Sequence, residues 1–204
     1  MESLGTQLTS DNQTSIPCSP IHHQGKEKLA LFNESDRITT LLLPPPAALL
    51  GPTQLIAAGM QTGKAQEVRV GCEQFLQSLS RFYQVSPCGV RVLASHPPRI
   101  RENWSSELLG DYNPSTLAIR VWMRTAVKKD ITSFGTFLST LCHEYCHHLD
   151  FEHFKFPDSW HTRGFYQRAG ALYHYARGTP PKRLYWASTS GGRWRIDWPR
   201  TNRG

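Results

Sequence analysis

The sequence predicts an α+β fold, and three observations carry that expectation. Three stretches repeat apolar residues at three- and four-residue spacing, the pattern of helices with one buried face. Between the first and second lies a group of short strand candidates separated by turn residues. Together they describe a small antiparallel sheet packed on a central helix, with further helices beside it.

The first helix is expected over about 62–83, where Val68, Cys72, Phe75, Leu76, Leu79 and Phe82 alternate with Lys64, Glu67, Glu73, Gln77 and Arg81. Pro87-Cys88-Gly89 marks a turn, residues 90–94 read as a strand, and Pro97-Pro98 stops it. Residues 108–115 give a strand and a turn, residues 117–123 a second strand, and the pair fits a hairpin. Lys128-Lys129-Asp130 leads into the central helix, expected over about 131–149 with Asp130 as its N-cap. Phe134, Phe137, Leu138, Leu141, Tyr145 and Leu149 supply its apolar face. Pro157-Asp158-Ser159 is a turn and cap signal before a third helix over about 160–176, with Phe165, Ala169, Leu172 and Ala176 on one side.

Two flanks surround this expected domain of residues 63–176. Residues 1–62 are polar, lack periodicity and contain Pro44-Pro45-Pro46, so a disordered or loosely docked arm is expected. Residues 177–204 hold seven basic residues and one acid, which is nearly all of the chain's formal excess of +7. No apolar run of about 18 residues exists, which argues against a membrane span. Residues 1–24 lack the basic-then-apolar order of a secretory signal. Five cysteines with no Cys-x-x-Cys pair do not resemble a disulfide framework, so a cytoplasmic location is expected.

The chemistry concentrates on the central helix, which carries His143-Glu144-x-x-His147. Histidines four apart lie one turn above each other on a helix, so both imidazoles can bind one Zn²⁺. The carboxylate beside the first of them can act as a general base toward water that the ion activates. His148 points about 100° away from His147 and is expected to pack or to donate a supporting hydrogen bond. Cys142 and Cys146 are expected to be small core residues.

A catalytic zinc needs a third protein ligand and an open fourth position. No glutamate follows Glu152, so a downstream glutamate ligand is excluded, leaving His153, Asp158, His161 and His174. His153 would give a metzincin-like spacing, but Asp150 stands where that pattern turns on a glycine. His161 sits after a turn at the expected start of the third helix, with Phe165 to anchor it, and is favoured.

Taken in order, Phe75-Leu-x-x-Leu-x-x-Phe-Tyr83, the hairpin with Gly110-Asp-Tyr112, and Leu138-x-x-Leu-Cys-His-Glu-x-x-His147 resemble the SprT-like metallopeptidases over roughly residues 65–176. His161-Thr-Arg-Gly-Phe165 matches the segment that carries that family's third ligand, with Thr162 where glycine is usual. The resemblance implies a minimal zincin fold and a zinc-dependent endopeptidase. It implies one Zn²⁺ on His143, His147 and His161, with Glu144 as the general base for hydrolysis of peptide bonds in a protein or peptide substrate. Tyr112, Arg163, Tyr166 and Tyr173 are candidates to steady the oxyanion.

The alternative is a non-catalytic zincin-fold module that binds nucleic acid through residues 177–204. There Arg183, Arg193 and Arg195 interleave with Tyr185, Trp186, Trp194 and Trp198, a mixture suited to phosphates and stacked bases.

Overall fold

The structure is a computed structural model and describes residues 25–95, 99–101, 104–106, 108–125, 129–189 and 193–203. Three helices come first: α1 (Lys26–Arg37), α2 (Ala47–Thr62) and α3 (Ala65–Tyr83). The strands β1 (Gly89–Ser95), β2 (Arg99–Arg101), β3 (Trp104–Ser106), β4 (Gly110–Asn113) and β5 (Ala118–Arg124) follow. Helices α4 (Phe134–Glu152) and α5 (Arg163–Arg177) precede β6 (Trp186–Thr189), β7 (Arg193–Ile196) and the short α6 (Trp198–Arg203). The chain is therefore α+β, as expected.

The core forms where the apolar periodicity says it should. Val68, Cys72, Phe75, Leu76 and Leu79 of α3 meet Phe137, Leu138, Leu141, Tyr145 and Leu149 of α4, and Phe165 and Leu172 of α5. Ile119, Val121 and Met123 of β5 close it from the sheet side. Phe82 departs from the pattern: it is 38% exposed, and Tyr83 takes the buried place at the end of α3. Cys142 and Cys146 are free, buried core residues.

The sheet is mixed rather than antiparallel, in the order β1-β5-β4. The expected hairpin is there, with Gly110 opposite Val121 and Asn113 opposite Ala118. Strand β1, however, runs parallel to β5, with Val90 beside Ile119 and Val92 beside Val121. A parallel neighbour needs a long crossover. The chain between β1 and β4 supplies it and includes the small β2–β3 ladder.

Helix α4 starts three residues later than expected because the chain stays extended first. Ile131 bridges Arg124, and the Asp130 carbonyl accepts from Thr125, so Asp130 cannot cap the helix. Ser133 does so, its Oγ accepting from the Thr136 N–H at 3.1 Å. Helix α5 likewise begins at Arg163, capped by Thr162 rather than by the Pro157–Ser159 turn.

Residues 25–62 overturn the expectation of a disordered or loosely docked arm. Helix α2 buries Leu49, Ile56 and Met60 in the core beside α3. The strap between α1 and α2 is held by side chains from the domain: Arg168 donates to the Ile38 carbonyl, Tyr83 to Leu42 and Tyr175 to Pro44. Residues 1–24 of the expected arm lie outside the described residues, as do Pro97-Pro98 and Lys128.

The basic end is folded too. Strands β6 and β7 pair antiparallel, and α6 follows, with the Thr201 hydroxyl accepting from the Tyr185 N–H. Three of the four rings expected to stack on bases touch side chains of the chain itself, although Trp194 stays 40% exposed. Arg183 and Arg200 lie over Tyr185, Arg163 over Trp194, and Trp186 meets Tyr166. No helix among the described residues is long and apolar enough to cross a membrane.

Candidate metal centre

Helix α4 sets the first two ligands by its own geometry. His143 and His147 are one turn apart, and their Nε2 atoms approach to 3.2 Å. Leu141, Cys142, Tyr145 and Cys146 around them are buried, so the register of the helix is pinned by the core. The two imidazoles project where α4 meets the loop to α5.

That loop brings the third. After α4 the chain reverses through Lys155 in the left-handed conformation (φ 58°), and the Phe156 N–H returns to the Asp150 carbonyl. Further on, the Thr162 N–H donates to the Trp160 carbonyl at 2.7 Å, a three-residue turn centred on His161. His161 Nε2 lies 3.0 Å from that of His143 and 3.2 Å from that of His147. The three histidines are the group among the described residues close enough to hold one metal ion.

The other candidates are elsewhere. His153 caps the end of α4 with its ring edge against Tyr83. The Asp158 carboxylate accepts from the Ser159 N–H, and His174 bonds to Thr179. Thr162, in the position where glycine was expected, is fully buried. Its Oγ1 accepts from the Phe165 N–H, so it caps α5 while orienting the residue before it.

Helix α1 braces this loop, a contribution that the sequence pattern does not show. Phe32 meets Trp160, Ser35 bonds to Thr162, and the Asp36 carboxylate accepts from both the backbone and the guanidinium of Arg163. Burial raises the Asp36 pKa, but the bonds from Arg163 outweigh it and leave the group lowered. Gly164 permits the contact: a Cβ there would stand 2.3 Å from the Ser35 carbonyl oxygen.

Electrostatics favour three neutral imidazoles. Burial, then the charge of His161, pushes His143 down to about 3; burial alone pushes His161 down to about 4. His147 is also lowered, by burial and by both neighbours. Neutral imidazole is the form that binds metal, and three Nε2 atoms this close need a proton or a cation between them.

Glu144 lies between the two α4 ligands and is nearly buried. Burial, then the charge of Asp111, pushes it up to about 8. Gly110 of β4 makes room for it, since a Cβ there would lie 2.9 Å from Glu144 Cγ and 3.1 Å from Oε1. His148 braces the sheet rather than the three-histidine cluster. Its Nε2–H donates to the Ser86 carbonyl at 2.9 Å, so Nδ1 accepts from Tyr112 Oη at 3.0 Å.

Among the four oxyanion candidates, Tyr112 bonds to His148, Arg163 to Asp36, and Tyr173 to Arg177. Tyr166 stacks on His161, with ring centroids 5.7 Å apart. Compared with protein-family models, curated proteins and solved structures, the chain finds no match.

Proposed function

We propose that the chain is a zinc-dependent metallopeptidase of the SprT-like, minimal zincin kind. His143, His147 and His161 hold one Zn²⁺, and Glu144 is the general base. The observation that carries this reading is the triangle of Nε2 atoms, with sides of 3.0, 3.2 and 3.2 Å. Tetrahedral zinc with Zn–N bonds of about 2.0–2.1 Å separates its ligand nitrogens by roughly 3.3 Å, so the donor set fits that ion. Three ligands are all neutral nitrogen and leave a fourth position, the pattern of catalytic rather than structural sites.

Zinc in such a site acidifies a water and polarises the scissile carbonyl. The rest falls to the chain. Glu144 takes the proton of the attacking water and delivers it to the departing amine, so the carboxylate ends unchanged. Burial pushes Glu144 up to about 8 in the metal-free chain, and a cation held by the three histidines would lower it toward the ionised form that a base needs. The walls of β4 and α4 keep bulk water from the carboxylate. The engagement of Tyr185, Trp186 and Trp194 within the fold weighs against the nucleic-acid module.

Glu144→Gln tests the reading, because it keeps the shape of the side chain and removes the base. Zinc content should stay at one per chain, while cleavage of casein falls by at least about 100-fold, the scale of general-base catalysis. A zinc-loaded wild type that cleaves no protein or peptide would end the peptidase reading.

A further inference from the structure

The third-ligand loop does more than deliver His161. Midway along it, Ser159 Oγ lies 2.6 Å from Nδ1 of His147, the ring nitrogen turned away from the centre. Ser159 has one hydroxyl proton, and it goes to Asp150 Oδ2 at 2.7 Å. Asp150 is fully buried, three residues beyond His147 on the same helix, and its other oxygen accepts from Arg168 Nη2 at 2.8 Å.

Counting donors fixes the direction of every bond. A carboxylate facing a guanidinium is an acceptor only. Ser159 must therefore donate to Asp150 and can only accept from His147. The proton of His147 sits on Nδ1, and Nε2, which faces His143 and His161, carries the lone pair. Left to itself, a neutral imidazole can place its proton on either nitrogen.

The far end of the relay is rigid. Arg168 is fully buried, with its guanidinium 5.0 Å from the Phe154 ring centroid. Its Nη1 donates to the Ser35 carbonyl at 3.0 Å and to the Ile38 carbonyl at 2.5 Å, both at the end of α1.

We propose that Ser159, backed by Asp150 and Arg168, is a positioning residue that locks His147 as the Nδ1–H tautomer with Nε2 bare toward the centre. A hydrogen bond to a charged partner through one hydroxyl also makes the ring a better donor to a metal ion. Ser159 touches neither substrate nor ion; it acts through His147.

Two measurements test this. A two-bond ¹H–¹⁵N correlation spectrum of the metal-free protein reads the tautomer of His147 directly. Wild type should show the Nδ1–H pattern, Ser159→Ala should lose it, and Ser159→Thr, which keeps the hydroxyl, should restore it. In chelator competition with Zn²⁺ alone, Ser159→Ala should weaken binding by roughly 10–100-fold, the scale for partners that orient a ligand. A merely structural serine would leave both readouts unmoved. An Nε2–H wild type, or a Ser159→Ala protein with the same tautomer and the same zinc affinity, overturns the proposal. The zinc measurement rests on the metal reading above, whereas the tautomer is read without zinc, so the two can fail separately.

Discussion

His143 and His147 come from one turn of a helix, whereas His161 comes from a loop, and the two are held in place by different means. The helical pair needs only the register of α4, which Phe137, Leu138, Leu141, Tyr145 and Leu149 anchor in the core. His161 has no such local frame. Its position depends on Trp160 against Phe32, Thr162 against Ser35, and Arg163 against Asp36, contacts that span well over a hundred residues of chain. The lesson is that a three-histidine cluster can have a self-sufficient half and a borrowed half. Changes in α1 should disturb the loop ligand and spare the helical pair.

The sharpest way to separate the halves is Gly164→Ala. The added Cβ would meet the Ser35, Asp36 and Ile38 carbonyl oxygens at 2.3, 2.7 and 2.7 Å, all of them backbone. Overpacking of this kind costs about 3 kcal/mol. The expected outcome is a drop in Tm of several degrees, with α1 losing hydrogen-exchange protection before α4 does. Equal loss of protection in α1 and α4 would show that the two halves are not separable.

Acidity probes both halves at once. In the metal-free protein the native histidines stay neutral down to about 3 for His143 and about 4 for His161, against about 6.5 when unfolded. The unfolded chain therefore binds more protons in this window. Their contribution to stability is complete above about 6.5 and is lost as the pH falls toward 4. Glu144 has the opposite sign: with its native pKa near 8, its burial costs stability as the pH rises from about 4.5 through 8. Tm in EDTA should fall below pH 6.5 in wild type. Between pH 6.5 and 8 it should decline in wild type but stay flat in Glu144→Gln, a gap of a few degrees at about 2–4 °C per kcal/mol. Parallel curves for the two proteins would contradict this account of Glu144.

Asp36→Ala is the mildest probe of the borrowed half. Arg163 is about half exposed, so the ion pair itself contributes no more than about 1 kcal/mol. The expected result is a Tm lower by a few degrees and a weaker hold on zinc, with the far-UV spectrum unchanged. Zinc affinity and Tm equal to wild type would show that α1 does not brace the loop.

The same contrast explains what could be read from the sequence. The His143–His147 pair was legible because helical spacing is local, and so were the apolar faces of α3, α4 and α5. His161 was favoured over His153 because turn residues precede it, Phe165 follows it, and Asp150 stands where the His153 pattern turns on a glycine; the chain reversal at Lys155 is what the structure adds. Helix α1 was hidden because it is largely polar and docks through hydrogen bonds of Ser35 and Asp36 beside the ring contact of Phe32, with no apolar stripe to mark it. Helix α2 was hidden by Pro52 inside it and by the prolines before it, which break the pattern without breaking the helix. The parallel pairing of β1 with β5 left no local mark at all. Nor did the relay through Ser159, Asp150 and Arg168, which joins a loop to the last turns of α4 and a buried position of α5.

The central claim is that three histidines, two from a helix and one from a loop, form one zinc site. Zinc content per chain, measured after dialysis for wild type, His161→Ala and His153→Ala, tests it most directly. The account predicts one zinc in wild type and in His153→Ala and none in His161→Ala. One zinc retained in His161→Ala, or none bound by the wild type when zinc is supplied, would contradict it.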